Sequence, residues 1–108
     1  MRASDRFAVA DVACLLAGRA LRVANLSVGG FFVQTDNAAP PPGQFVELEL
    51  SLGRRAPFRV VGAVVWRHEP SAEATPQPAG FGVRITRIEL RDKLALVDWL
   101  RRLETPAG

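Results

Sequence analysis

Two short motifs contain side chains that could bind an anionic ligand. Arg2 and Arg6 are spaced Arg-x-x-x-Arg, and Asn25, Ser27 and Gly30 form an Asn-x-Ser-x-x-Gly stretch. A guanidinium group can bind phosphate oxygens, or the N7 and O6 edge of guanine, through two parallel hydrogen bonds. The amide and hydroxyl add donors and acceptors, and glycine lets a ligand approach the backbone closely. Together the motifs predict a site for a phosphate-containing ligand.

Neither motif is specific by itself. Thirteen residues are Arg, and the pairs Arg55/Arg59 and Arg87/Arg91 have the same spacing as the first pair. Asn, Ser and Gly are also ordinary turn residues. Their order is more informative, because the first Arg pair precedes the first expected strand and the second motif closes the second one.

The elements that must position these motifs are mainly strands. Apolar residues alternate with polar ones in segments such as Phe45–Leu52 and Phe81–Thr86, and Pro57–Arg67 is a longer apolar run. Gly or Pro residues separate the segments. Gly53 predicts a hairpin turn, and Gly62 predicts a bulge inside a long strand. We expect strands at Val9–Leu16, Arg19–Leu26, Phe31–Thr35, Phe45–Leu52, Pro57–Arg67 and Phe81–Thr86.

The last part of the chain has helical spacing. Its expected apolar stripe consists of Leu90, Leu94, Val97, Leu100 and Leu103. The segment from Thr86 to Glu89 has capping-box spacing and predicts the start of the helix. Six short strands followed by one helix predict a small antiparallel barrel with the helix packed against it.

The two motifs, in this order, resemble the signature of the PilZ family, the bacterial receptor domains for cyclic di-GMP. The resemblance runs from Arg2 to about Leu103. It implies a mainly β fold, a six-stranded antiparallel PilZ-like β-barrel with a C-terminal α-helix. Residues 1–108 would form a single PilZ-like domain, with an N-terminal arm at 1–7, the barrel at 8–86 and the helix at 88–104.

The resemblance also implies how each motif residue acts. Arg2 and Arg6 would contact phosphate or guanine, while Asn25 and Ser27 would hydrogen-bond the base from the barrel side. Gly30 would keep the turn tight and leave room for the ligand. The arm would become ordered on binding and signal to a protein partner in motility, biofilm or exopolysaccharide control. Relatives bind either one ligand molecule or a stacked pair, and both stoichiometries stay open here.

Two departures from the family pattern bear on affinity. Many relatives have a longer, more basic arm upstream of the Arg pair, whereas Met1 alone precedes Arg2 in this sequence. Asn25 stands where Asp is commoner, which keeps an acceptor oxygen but removes a charge that could bind guanine N–H groups.

Two other functions compete with a nucleotide receptor. The main alternative is a nucleotide-independent PilZ-like adapter for a type IV pilus or motility complex, although relatives of that kind usually have degraded motifs. A nucleic-acid-binding barrel is the third candidate. Scattered basic residues and few aromatics argue against it, so we expect no nucleic-acid polymer as a partner. The domain is expected to be a monomer or a weak dimer.

Catalysis and metal binding are not expected. The chain has one His, one Cys and no Tyr, and no Cys/His cluster has metal-ligand spacing. We therefore expect no enzymatic activity, no metal and no cofactor. The resemblance implies cyclic di-GMP as the ligand. His68 is predicted to be a solvated loop residue. Glu47 and Glu49 share a strand face and are expected to be solvent-exposed.

The two tryptophans and the single cysteine are expected to pack within the fold or near its rim. Trp99 should pack against the barrel, and Trp66 should either pack in the barrel or cover a stacked base near its rim. Cys14 should be a buried thiol. The absence of a long apolar run and of a signal core predicts a protein of the bacterial cytoplasm without membrane insertion.

Overall fold

The computed structural model of the chain describes residues 7–8, 11–35, 39–68 and 79–104. Within these ranges the chain forms seven strands followed by one helix. The strands are β1 Phe7–Ala8, β2 Val12–Leu16, β3 Arg19–Leu26, β4 Gly30–Gln34, β5 Phe45–Leu52, β6 Phe58–His68 and β7 Gly80–Ile88, and the helix is α1 Leu90–Glu104.

Six of these strands form a closed antiparallel barrel. They pair in the order β3-β2-β5-β6-β7-β4, and pairing between β4 and β3 closes the circle. The two-residue β1 is added to β3, where Phe7 pairs with Leu26 and Ala8 with Asn25. The prediction of a six-stranded antiparallel barrel with a C-terminal helix is therefore confirmed. Ordered pairing starts earlier than expected, because Phe7 already belongs to the sheet.

The turns and irregularities agree with the glycine pattern. The chain turns at Gly53, where the Arg55 amide donates to the Leu52 carbonyl at 3.0 Å. Pairing between β6 and β7 shifts register between Val61 and Gly62, as the predicted bulge requires. A second shift, between Val64 and Trp66, was not expected from the sequence.

The core lies inside the barrel and under the helix. Strand β5 alternates strictly, since Val46, Leu48, Leu50 and Leu52 are buried while the glutamates between them are exposed. This is the two-residue period of a strand with one face toward the core. The predicted burial of Cys14 is confirmed by its 2% exposure.

The helix buries only part of the expected stripe, because Leu100 is buried as predicted while Leu103 is 45% exposed. Leu96 and Leu100 are fully buried and Trp99 packs against the core, as expected for this tryptophan. Leu90 and Leu94 are instead 70% and 60% exposed. Leucines occur on two sides of α1 at spacings of three and four, so the period alone could not show which side faces the barrel. The described part of the chain contains no helix long and apolar enough to cross a membrane.

The predicted capping box is wrong. Thr86 lies in β7, and its hydroxyl donates to the Val61 carbonyl at 3.1 Å. The Glu89 carbonyl accepts from the Lys93 amide at 2.9 Å, which makes Glu89 the residue that precedes the first helical turn. The strand therefore runs directly into the helix.

Candidate functional site

Ser27 closes the turn between β3 and β4. Its hydroxyl donates to the Gly30 carbonyl at 3.1 Å and accepts from the amides of Gly29 and Gly30 at 3.2 and 3.1 Å. The Ser27 amide donates to the same carbonyl at 2.8 Å. Because Ser27 is only 3% exposed, its hydroxyl is used inside the turn and gives the motif its shape.

Gly30 is required by the approach of two strands. It begins β4 and pairs with Arg84 of β7, and a Cβ at this position would collide with the Val83 carbonyl. The turn is also tied to β7 by the Ile85 amide, which donates to the Gly29 carbonyl at 2.8 Å. Any side chain at Gly30 would push the turn away from the barrel.

Asn25 lies on the outer face of the barrel. Its neighbour Leu26 is fully buried, and successive residues of a strand point to opposite faces. A register shift precedes Asn25, which lets both Val23 and Leu26 point into the core. Asn25 pairs with Phe32 on one side and with Ala8 on the other.

The cross-strand neighbours of Asn25 on the outer face of the barrel form a row that includes an aromatic pair. Phe32 pairs with Gly82, and Gly82 pairs with Trp66, so the row crosses β3, β4, β7 and β6. The rings of Phe32 and Trp66 stack with centroids 5.1 Å apart and planes 10° apart. A Cβ at Gly82 would collide with the Trp66 ring, so the indole lies across this glycine. Trp66 thus packs on the outside of the barrel.

Arg84 adds a cation to the same face. It pairs with Gly30 and Ala63, and it lies two residues beyond Gly82 on the same strand. These two cross-strand partners have little or no side chain, and Arg84 is exposed. We use the name outer-face site for Asn25, Phe32, Trp66, Gly82 and Arg84.

The sequence did not predict three members of this site. Phe32, Gly82 and Arg84 belong to it only through cross-strand pairing. One signal was available, because Gly82 interrupts an otherwise alternating strand, and an interior glycine often marks the close approach of another group.

The predicted arginines Arg2 and Arg6 lie outside the described residues. Strand β1 follows them in the sequence, and its pairing with β3 is described. Phe7 and Ala8 pair antiparallel with Leu26 and Asn25, so β1 runs away from the turn that Ser27 closes. The other three predicted residues, Asn25, Ser27 and Gly30, lie within one turn and its flanking strand ends.

His68 differs from its prediction. It ends β6 opposite Gly80 and is half-buried rather than a solvated loop residue. Its Nε2 is buried and has no hydrogen-bond partner among the described residues.

The other polar groups do not form a reactive centre in the described ranges. Glu47 forms an ion pair with Arg59 at 2.9 Å, and both side chains are exposed. Burial raises the pKa of the Cys14 thiol from 9.0 to about 12, which keeps it protonated and unreactive near neutral pH. Within the described residues, no group of three or more His, Cys, Asp or Glu could hold a metal ion.

Comparison with solved structures supports the fold. The crystal structure of an uncharacterized Legionella protein superimposes with a TM-score of 0.61 over 93% of this chain and 94% of its own. The two sequences are 14% identical, so this likeness concerns the fold alone. No curated protein matches the chain.

Comparison with protein families covers nearly the whole chain. The model of the PilZ domain matches residues 2–102, which include both motifs, the barrel and most of the helix. The predicted resemblance is thereby confirmed. PilZ domains are binding domains, and the family is one of cyclic di-GMP receptors. The chain belongs to the PilZ domain family.

Proposed function

We propose that this domain is a receptor for cyclic di-GMP. The observation that carries the proposal is the pairing of Phe7 with Leu26 and of Ala8 with Asn25. Arg6 precedes Phe7 in the sequence, and β1 is antiparallel to β3. This arrangement supports a site in which the Arg-x-x-x-Arg pair and the Asn-x-Ser-x-x-Gly turn act on one ligand.

The outer-face site has the chemistry that a guanine base needs. The Asn25 amide can donate to the base and accept from it. Phe32, the cross-strand partner of Asn25, stacks on Trp66, and Trp66 is partly exposed. Stacking of a base on an aromatic side chain contributes about 1–3 kcal/mol. A base held between the amide and the indole would explain why this aromatic pair lies on the outer side of the barrel.

Charge-assisted hydrogen bonds would hold the phosphates. In this proposal Arg2 and Arg6 close over the ligand, and Arg84 faces it from the barrel. Bonds of this kind contribute about 1.5–3 kcal/mol each. Loss of one arginine should therefore weaken binding by about tenfold to a hundredfold.

Ser27 and Gly30 act indirectly in this proposal. The Ser27 hydroxyl already has one acceptor and two donors as partners inside the turn. Gly30 lets the turn approach β7. We therefore assign both residues to positioning Asn25 and the turn, and not to direct contact with the base.

The signal would pass to a protein partner in the bacterial cytoplasm. Closure of the arm over the barrel changes the surface near the turn, and a partner can bind that altered surface. Control of motility, biofilm or exopolysaccharide production is the proposed output.

Calorimetric titration tests the proposal. Cyclic di-GMP is titrated at an ionic strength of about 0.15 M into the wild type and into Arg6→Ala, Trp66→Leu and Arg54→Ala. The wild type should bind saturably, and Arg6→Ala should bind about tenfold to a hundredfold more weakly. Trp66→Leu should also weaken binding, because leucine keeps bulk but cannot stack on the base. Arg54 is exposed in the turn after β5 and serves as the matched control.

Each result has a defined meaning. Flat heats for the folded wild type at high protein concentration would overturn the receptor and favour the nucleotide-independent adapter. Equal affinity for Arg6→Ala and Arg54→Ala would show that the Arg pair does not bind the ligand. Thermal melts of each variant confirm that the protein tested is folded.

A further inference from the structure

The two other Arg-x-x-x-Arg pairs meet in one groove. Arg55 and Arg59 come from the β5–β6 turn and the start of β6, and Arg87 and Arg91 come from the end of β7 and the first turn of α1. All four line the same open groove of about 610 Å³. They are far apart in sequence, and pairing of β6 with β7 brings them together, as the pair Val61 and Arg87 shows.

The groove has an apolar lining as well as a basic one. Phe58, Pro57 and Ile88 line it between the arginines. A second groove adjoins it, shares Arg87 and Ile88, and reaches Leu90 and the turn residues Val28 and Gly29. Leu90 and Leu94 are one helical turn apart on α1, so their exposed side chains extend this apolar surface. We call the two grooves with these leucines the basic-apolar groove.

Charge is concentrated in the basic-apolar groove. Of the described residues, five of the twelve basic ones but only two of the seven acidic ones line its two parts. The basic ones are Arg55, Arg59, Arg87, Arg91 and Lys93, and the acidic ones are Glu89 and Asp92. An occupant with negative charge is therefore favoured over a neutral or basic one.

A carboxylate of a bound partner could replace the glutamates that pair with two arginines at this surface. Arg59 pairs with Glu47 at 2.9 Å, with side chains 72% and 58% exposed, and Arg91 pairs with Glu89 at 3.6 Å, also exposed. Exposed pairs of this kind contribute little to stability. An incoming carboxylate that binds a guanidinium through both oxygens can replace them with little loss.

We propose that the basic-apolar groove docks an acidic segment of a partner protein, one in which carboxylates alternate with large apolar side chains. The carboxylates would bind the four arginines, and the apolar side chains would cover Phe58, Ile88 and the two exposed leucines. The apolar lining favours a protein over nucleic acid, whose backbone and base edges would leave those leucines uncovered. The groove reaches the Val28–Gly29 turn, so an occupant would also touch the element that carries Asn25. The proposal does not depend on cyclic di-GMP binding.

Binding of a defined peptide tests this surface. The probe is a short fluorescent peptide in which Glu and Leu alternate, and its polarization is titrated with the full chain. Arg55→Glu and Arg87→Glu should each weaken binding by about tenfold or more, because an attractive charge becomes repulsive. Arg54→Glu makes the same charge change at the neighbouring turn residue, which does not line the groove, and should bind within about twofold of the wild type. Leu90→Ser should also weaken binding.

Other outcomes would overturn the proposal. Equal losses in Arg54→Glu and Arg55→Glu would show a response to net charge alone. Undiminished binding by Leu90→Ser, or equal affinity for a peptide of alternating Glu and Ser, would show that apolar contacts do not contribute to binding. Absence of peptide binding would also overturn it, and Arg87-dependent binding to phosphatidylglycerol vesicles in that case would assign the groove to a membrane. Each variant is also titrated with cyclic di-GMP, so failure of the peptide result is distinguished from failure of the receptor proposal.

Discussion

At the scale of single residues, the Asn-x-Ser-x-x-Gly motif contains residues with three different tasks. Asn25 is on the outer face of the barrel, Ser27 is buried and closes the turn, and Gly30 allows β4 to approach β7. The motif is therefore as much a folding element as a binding one. Only Asn25 has its side chain on the surface that the ligand is proposed to occupy.

Loss of the Ser27 hydroxyl should destabilise the fold. Ser27→Ala removes the acceptor for the Gly29 and Gly30 amides, and an unsatisfied buried group costs about 1–3 kcal/mol. The free energy of unfolding, measured in urea, should fall by that amount. Ser51→Ala, at a half-buried position of β5, is the control and should change it by less than about 0.5 kcal/mol. Equal effects of the two substitutions would contradict the role assigned to Ser27.

At the scale of elements, α1 closes the core with one stripe and leaves another exposed. Leu96 and Leu100 complete the hydrophobic core, while Leu90 and Leu94 extend the basic-apolar groove. The helix follows β7 with Glu89 as the only residue between them. This short connection, together with burial of Leu96 and Leu100, sets which side of the helix meets the barrel.

Alanine substitutions on the two stripes should have different effects. Leu96→Ala leaves a cavity in the core and should lower the free energy of unfolding by about 2–5 kcal/mol. Leu94→Ala removes an exposed side chain and should change it by less than about 0.5 kcal/mol. Urea denaturation of both variants measures the difference. Similar losses would contradict the exposure of Leu94 and the packing of α1 through Leu96.

At the scale of the whole molecule, closure of the barrel protects its interior. Cys14 lies in β2 between β3 and β5, and it is buried on the core side. Burial raises the pKa of its thiol from 9.0 to about 12. Between these pH values the folded protein keeps a proton that the unfolded chain releases, which links global stability to pH.

Stability should therefore decrease in alkaline solution. The contribution of Cys14 is complete below about pH 9 and is lost as the pH rises toward about 12. For one proton the expected slope in this range is about 1.4 kcal/mol per pH unit. Urea unfolding of the wild type and of Cys14→Ala across this range measures the slope, which the variant should lack. A Cys14→Ala curve parallel to that of the wild type would rule out this linkage.

Much of the fold follows from local patterns in the amino-acid order. Alternation in segments such as Phe45–Leu52 predicts strands because a strand exposes its two faces in turn, and the glycines at positions 53 and 62 mark a turn and a bulge. The two motifs were sufficient to predict the family because of their order along the chain, although neither is specific by itself. The positions of Asn25, Ser27 and Gly30 beside one turn also follow from their closeness in the chain.

Other features depend on contacts between distant segments. Local periodicity does not reveal cross-strand register, so it could not show that Asn25, Phe32, Gly82 and Trp66 form one row, or that two arginine pairs share one groove. It also could not choose between the two leucine stripes of α1, because both have helical spacing. These features were decided by barrel closure and by register shifts, which set the face that each strand residue occupies.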